Sequence, residues 1–274
     1  MDPKKRIIVA VDTADFEKAF ELIEKLSPYV GYFKVGLEFM QYSWSQLLSC
    51  NESHAKLSLD MLRAIFDEMS GRIFWDGRFN DIPNTVGRAS SFMGMMGVKF
   101  FNVHASSGIE AVRKAVKNKG DAKILVVTVL TSLNFADLWN VGLGRCRNKN
   151  CKKYFNTKWD KKFVEELVLA MAKWSKGFGA DGVICSPQEL LALNKCETLH
   201  SFLKVVPGVR PEWALINDQK RVMTPGEAVA AGADYLVIGR PITNPPAEIG
   251  GPVEAAQKIA EEIAKAEKEA GNAD

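Results

Sequence analysis

Cysteine, histidine and long apolar runs are all scarce in this chain. Its 274 residues include five cysteines and three histidines. An odd number of cysteines in a chain of this length does not indicate a disulfide framework, so we expect a reducing, cytoplasmic environment. No apolar run approaches the roughly 18 residues of a membrane span, and Asp12 ends the first run too early for a signal peptide.

A large excess of charge of one sign is also absent. The formal net charge is +3, with 36 basic and 33 acidic side chains. This balance does not predict a nucleic-acid partner or an acidic membrane surface, although it leaves room for a local anion site. The hydrophobic fraction of 47% and the charged fraction of 25% are typical of a globular protein.

Short apolar runs alternate with segments of helical periodicity from one end of the chain to the other. Continuous rather than alternating apolar runs are typical of parallel strands that are buried on both faces. Eight such strand–helix units predict an α/β fold, a (β/α)8 TIM barrel formed as one domain over residues 1–274. The predicted strands are residues 7–11, 32–36, 72–76, 99–103, 124–130, 181–185, 203–206 and 234–238.

Two segments are longer than this repeat requires, and we predict insertions near residues 42–60 and 144–159. The second is basic and contains Cys146 and Cys151. A zinc knuckle would need a second cysteine or histidine pair, which is missing, so a surface loop is favoured. A lid over the barrel mouth remains an alternative, and an RNA-binding role is the least favoured one.

The richest local pattern lies at the end of the third predicted strand. The apolar run Ile73-Phe74-Trp75 is followed by Asp76, Arg78 and Asp81, and Pro83 is suited to the first turn of a helix. Residues 76 and 78 of a strand point to the same face, so a carboxylate and a guanidinium are predicted side by side. An ordinary surface ion pair is the alternative.

In a barrel, the carboxyl ends of all strands meet on one face, and active sites are built there. The candidate site residues at the predicted strand ends are Asp12, Lys34, Asp76, Arg78, Asp81, His104, Thr131, Ser132, Pro207, Arg210, Gly239 and Arg240. The loops after strands seven and eight commonly bind phosphate, and Arg210, Gln219, Gly239 and Arg240 suit that role. For His104 we favour a structural hydrogen bond over catalysis, and no partner with metal-ligand spacing accompanies it.

These residues carry a resemblance to a known family. The chain resembles orotidine 5′-monophosphate decarboxylases in a series of segments that occur in family order and cover nearly all of it. The segments are residues 9–12, 33–36, 81–86, 102–106, 128–132, 185–189, 207–211, 218–225 and 239–243.

The resemblance implies decarboxylation of orotidine 5′-monophosphate to UMP in pyrimidine biosynthesis, without metal or cofactor. It also implies a homodimer whose sites are completed across the interface by Asp81, Ile82 and Thr85. Asp12 and Lys34 are implied to bind the ribose, with Lys34 also pairing with Asp76. Thr131 and Ser132 are implied to face the pyrimidine, the implied phosphate ligands are Arg210, Gln219, Gly239 and Arg240, and Pro207 is a further implied substrate-binding residue.

One residue departs from the family pattern. The family has a lysine where this chain has Arg78, and that lysine protonates the carbanion. Gly77 replaces a bulky apolar residue, which suggests that the backbone relaxes there to seat the longer side chain. Because arginine and lysine are not interchangeable, a nucleotide-binding paralogue with little activity is one alternative hypothesis. A related sugar-phosphate lyase, which would need a metal, is another.

Overall fold

The computed structural model describes residues 1–142, 157–214 and 223–271. Eight parallel strands form a closed barrel in the order of the sequence, so the predicted (β/α)8 fold is confirmed. The strands are β1 (Ile7–Val11), β2 (Tyr32–Val35), β3 (Ile73–Phe79), β4 (Phe100–His104), β5 (Lys123–Val127), β6 (Gly182–Ile184), β7 (Leu203–Pro207) and β8 (Tyr235–Ile238).

Helices connect the strands around the outside of the barrel. They are α1 (Phe16–Leu26), α2 (Leu37–Leu47), α3 (Glu52–Glu68), α4 (Pro83–Met95), α5 (Ile109–Asn118), α6 (Phe135–Asn140), α7 (Thr157–Gly177), α8 (Leu190–Lys195), α9 (Pro225–Ala230), α10 (Arg240–Thr243) and α11 (Pro252–Gly271). Within the described ranges, no helix combines the length and apolar character needed to cross a membrane.

The core has two layers. Inward-pointing side chains fill the barrel itself, and three aromatic rings, those of Tyr32, Phe100 and Tyr235, meet there edge to face. The larger layer lies between the strands and the helices, where β-branched and aromatic residues pack against the apolar faces of the helices. Burial on both faces explains why the strands read as continuous apolar runs.

The two predicted insertions have different outcomes. Residues 42–60 form the end of α2 and the start of α3, and between these helices the side chain of Asn51 accepts a hydrogen bond from the His54 amide and caps α3. The segment 144–159, with Cys146 and Cys151, lies outside the described residues except where α7 begins at Thr157.

Strand β3 is longer than predicted. It continues through Asp76 and Arg78 to Phe79, and its register against β4 shifts on the way. The charged residues made the run look as if it ended at Asp76. Helix α6 was not predicted either; it is short and begins at Phe135 with a capping box between Asn134 and Asp137.

Candidate active site

A cavity of about 570 Å³ opens at the carboxyl ends of the strands. Its walls come from both ends of the sequence, because barrel closure places β1 beside β8. The predicted site residues that line it are Asp12, Lys34, Asp76, Arg78, Thr131, Pro207, Arg210, Gly239 and Arg240. The structure thus brings together nine of the residues that the sequence had singled out.

Lys34 lies between two carboxylates at the floor of this cavity. Its Nζ is 3.0 Å from Oδ1 of Asp12 and 3.3 Å from Oδ2 of Asp76. The pairing offsets the cost of placing a lysine in a strand, where only 11% of its side chain is exposed. Gly36 makes room for this contact, since a Cβ at that position would lie 2.7 Å from the Lys34 Nζ.

Asp76 is the most buried charged group in this cluster. Its Oδ1 accepts hydrogen bonds from Nε of Arg78 at 3.1 Å and from Nδ2 of Asn102 at 2.5 Å. Burial alone raises the pKa of Asp76, but the positive charges of Lys34 and Arg78, together with those hydrogen bonds, outweigh it and bring the pKa below its ordinary value. Asp76 is therefore a carboxylate at neutral pH.

Arg78 lies on the same face as Asp76, and the predicted side-by-side arrangement is confirmed. Its side chain is 40% exposed, so the guanidinium both pairs with Asp76 and faces the open cavity. Its backbone φ of 50° is in the left-handed region, the one such non-glycine value among the described residues.

Gly77 does not supply the backbone freedom that its sequence position suggested. It is not among the glycines with positive φ. A Cβ on Gly77 would instead lie 2.7 Å from Nε1 of Trp75 and 2.9 Å from a ring carbon of Phe79. A glycine is needed there because both rings occupy the space that a Cβ would take, and the unusual backbone conformation belongs to Arg78.

Two arginines lie on the other side of the cavity. Arg210 follows β7 and is buried, while Arg240 begins α10 directly after β8. Two guanidinium groups on loops seven and eight form a positive end opposite the Lys34–Asp76 cluster. Gln219, the further predicted ligand at this end, lies outside the described residues.

Several predicted residues are placed outside this lining. Asp81, Ile82 and Thr85 lie at the exposed start of α4, where the Asp81 carboxylate accepts a hydrogen bond from the Ile82 amide at 2.6 Å. Ser132 is also exposed and does not line the cavity, unlike its neighbour Thr131.

His104 ends β4 near the charged cluster. Burial lowers the pKa of its imidazole, the positive charge of Arg78 lowers it further, and Asp76 partly opposes the change. The structural hydrogen bond predicted for this ring is not made to any residue that the structure describes. In residues 1–142, 157–214 and 223–271, no three His, Cys, Asp or Glu side chains are grouped as metal ligands.

Sequence reasoning missed several cavity residues that had a usable signal. Ala10, Phe74 and Val237 each lie two positions before a predicted site residue on the same strand face. Thr243 follows Arg240 by three positions and shares its helical face. Glu38, four residues after Lys34, and Asn102 on β4 gave no comparable signal.

Comparisons with known proteins agree with this geometry. The chain is 39% identical over 270 residues to the orotidine 5′-phosphate decarboxylase of Geotalea daltonii, covering 96% of this chain and 97% of that protein. It is 37% identical to the Syntrophomonas wolfei protein of the same name, covering 96% and 99%.

A solved structure gives the same result for the fold. The crystal structure of orotidine 5′-phosphate decarboxylase from Lactobacillus acidophilus superimposes with a TM-score of 0.67 at 28% identity, covering 94% of this chain and 98% of that one. Residues 5–259 match the family described as orotidine 5′-phosphate decarboxylase / HUMPS family. With a match of that extent and relatives of that identity, the chain belongs to this family.

Proposed function

We propose that this protein decarboxylates orotidine 5′-monophosphate to UMP in pyrimidine biosynthesis, in the cytoplasm and without a metal or cofactor. The observation that carries the proposal is a row of alternating negative and positive charges on Asp12, Lys34, Asp76 and Arg78. These side chains line a cavity with two arginines at its far side. A nucleotide has the matching shape, with a reacting ring at one end and a phosphate at the other.

The phosphate is placed against Arg210 and Arg240. Guanidinium groups bind phosphate oxygens through paired N–H donors, and the loops after β7 and β8 are the usual phosphate site of barrels. Pro207, Gly239 and Gln219 complete this end in the proposal. Phosphate binding far from the reacting atom supplies energy that holds the ring in an unfavourable charge environment.

With the phosphate bound there, the ribose and the pyrimidine ring are proposed to lie next to the charged cluster. Asp12 and Lys34 are the proposed ribose ligands, and Thr131 is proposed to face the pyrimidine, whereas its exposed neighbour Ser132 stays outside the lining. This arrangement is supported by the shared cavity, which both the arginines of loops seven and eight and the Lys34–Asp76 pair line. The substrate carboxylate is placed next to Asp76.

The chemical step breaks the bond between the ring carbon and the carboxylate. CO2 leaves, the electron pair stays on the ring carbon, and that carbon then takes a proton. Asp76 is ionised and repels the substrate carboxylate, whereas Lys34 and Arg78 stabilise the negative charge that develops. The cluster therefore favours the transition state over the bound substrate.

Arg78 is the proposed proton donor. Arginine holds its proton more tightly than lysine does. A carbanion on a ring carbon is nevertheless a much stronger base than a neutral guanidine, so transfer from Arg78 is downhill. The half-exposed guanidinium then regains its proton from water.

The site is proposed to be shared between two copies of the chain. Asp81, Ile82 and Thr85 lie outside the cavity of their own chain, and Ile82 is 66% exposed. The exposed face of α4 continues from Thr85 to Phe92 and Met96, which are 59% and 44% exposed. A second copy that covers this face would carry its own Asp81 and Ile82 towards the neighbouring cavity.

The deciding experiment is the loss of the substrate's ultraviolet absorbance with the wild-type chain, Arg78→Lys and Arg78→Met. We expect turnover by the wild type and a loss of at least about 100-fold in kcat for Arg78→Met, because a charge that acts in the transition state is removed. Arg113→Met, which removes an exposed arginine of α5, is the matched control and should retain activity.

Other outcomes of this experiment would assign a different function to the chain. An inert wild type with an active Arg78→Lys variant would identify a nucleotide-binding paralogue on an intact scaffold, and tight UMP binding would support that assignment. Activity that appears only with an added divalent metal and a sugar phosphate would favour the related lyases. Inactivity of both proteins towards every substrate would refute our assignment of the site.

A further inference from the structure

Strand β3 carries a large bulge beside the charged cluster. Trp75 pairs with Phe101 of β4, and Phe79 pairs with Val103. Three residues of β3, at positions 76 to 78, therefore face the single residue Asn102 of β4. A common β-bulge opposes two residues to one, so this bulge carries one more and leaves backbone groups without their usual ladder partners.

The side chain of Asn102 occupies the gap. Its Oδ1 accepts a hydrogen bond from the Arg78 backbone N–H at 2.6 Å, and its Nδ2 donates to Oδ1 of Asp76 at 2.5 Å. Asn102 is 1% exposed. One amide orientation satisfies both bonds, because a backbone N–H requires an acceptor and a carboxylate requires a donor.

The first bond maintains a strained backbone. A left-handed φ is unfavourable for a residue with a Cβ, and Arg78 has a φ of 50°. The Asn102 carbonyl takes the place of a peptide carbonyl in the ladder and satisfies the N–H that this conformation turns inward. The direction of the Arg78 side chain follows from that backbone.

The second bond fixes the orientation of the carboxylate. Oδ1 of Asp76 is held by Asn102 and by Nε of Arg78, while Oδ2 faces Nζ of Lys34 at 3.3 Å. A carboxylate held at both oxygens cannot rotate towards either cation alone. Both cations then lie at defined positions relative to one negative charge.

We propose that Asn102 is a positioning residue, which through one side-chain amide sets the carboxylate of Asp76 and the backbone of Arg78 relative to each other. The proposal rests on the proposed function for its catalytic consequence but not for its structural one. Asn102 does not line the cavity, so its effect on substrate passes through Asp76 and Arg78.

The test uses two variants of Asn102 that separate the effects of its two hydrogen bonds. Asn102→Leu has a similar size and removes both. Asn102→Asp keeps the acceptor for the Arg78 N–H but replaces the donor to Asp76 by a second carboxylate. Ser90→Ala is the control for the loss of a buried hydrogen bond elsewhere, since the Ser90 hydroxyl is fully buried in α4 and donates to the Val86 carbonyl.

The first readout is kinetic. We expect Asn102→Leu to lower kcat by about 10- to 100-fold with a smaller change in KM, since small displacements of catalytic groups are costly. The acidic limb of the kcat/KM profile should move to higher pH, because a hydrogen bond to ionised Asp76 is lost. Asn102→Asp should move that limb further, and Ser90→Ala should leave it in place.

The second readout does not need turnover. Carbon-13 NMR titration of the Asp76 carboxyl, assigned by its loss in Asp76→Asn, should show a higher pKa in both Asn102 variants than in the wild type. If the wild type is catalytically inert, this titration still tests the proposal. If Asn102→Leu does not fold, Asn102→Asp supplies the same comparison. An unchanged carboxyl pKa in a folded variant would overturn the positioning role.

Discussion

At the residue scale, the site depends on how Asp76 is kept ionised although it is buried. Two cations and an asparagine amide offset its desolvation, and only part of this arrangement was visible in the sequence. The i, i+2 spacing predicted Asp76 beside Arg78, because strand geometry is local. The contact with Asn102 was not predictable, because it spans 26 residues and depends on the bulge.

Gly77 provides a residue-scale prediction about packing. In Gly77→Ala the new methyl group would lie under 3 Å from the rings of Trp75 and Phe79, so one ring must move. We expect a loss of about 1–3 kcal/mol in the free energy of unfolding, typical of overpacking, as measured by urea denaturation. Gly177→Ala is the matched control, because a Cβ there meets nothing within 4 Å and alanine favours the helix. Equal stability of the two variants would contradict this account of Gly77.

His104 provides a prediction about pH. Its pKa in the folded protein is lowered by burial first and by Arg78 second, from an unfolded value near 6.5. As the pH falls below 6.5, the unfolded chain therefore binds a proton before the folded chain does, and stability is lost. Above that pH the contribution is fully present.

The measurement is the free energy of unfolding at about pH 7.5 and about pH 5.5. His104→Gln should lose less stability on acidification than the wild type. A wild-type-like decline in His104→Gln would show that other groups cause it.

At the element scale, the helices and most strands were predictable because their signals are local. The continuous apolar run predicted β1 at residues 7–11, and the structure has the same limits. Strand β3 was predicted too short because charged residues and a glycine usually end a strand. Its continuation to Phe79 depends on packing of that ring against Phe101 of the neighbouring strand, at 5.9 Å between centroids.

The cap of α3 is a further test at this scale. The Asn51 side chain accepts the His54 amide at 3.1 Å, and a helix start without such an acceptor leaves N–H groups unsatisfied. Asn51→Ala should lower the free energy of unfolding by about 1 kcal/mol, and Asn51→Asp should preserve it. Equal losses in thermal or urea unfolding for both variants would indicate that the side-chain bond is not the cause.

At the scale of the whole molecule, the barrel unites groups that the sequence separates widely. Asp12 and Arg240 lie more than two hundred residues apart, yet both line one cavity because β1 pairs with β8. Strand count and the rule that sites lie at the carboxyl ends were enough to predict this. The sequence pattern alone did not show that Asp81 and Ile82 lie outside that cavity, because their exposure depends on the direction of α4.

The shared site is tested best by mixing two inactive chains. Lys34→Ala removes a group inside the cavity, and Asp81→Asn removes one that we assign to the neighbour's cavity. In the proposed dimer, each variant alone has two defective sites, so each should be nearly inactive. In a dimer of one chain of each kind, one site lacks both groups and the other has both.

Random pairing of equal amounts should therefore restore about a quarter of the wild-type activity, since half of the dimers are mixed and each has one intact site. Co-expression of two differently tagged chains, followed by tandem purification, isolates the mixed dimer and should raise the value to about half. If Asp81 served the cavity of its own chain, every site in the mixed dimer would lack one group and no activity would return. Co-expression of Lys34→Ala with Arg78→Met provides the control, because both of these groups line the same cavity and their mixed dimer should stay inactive.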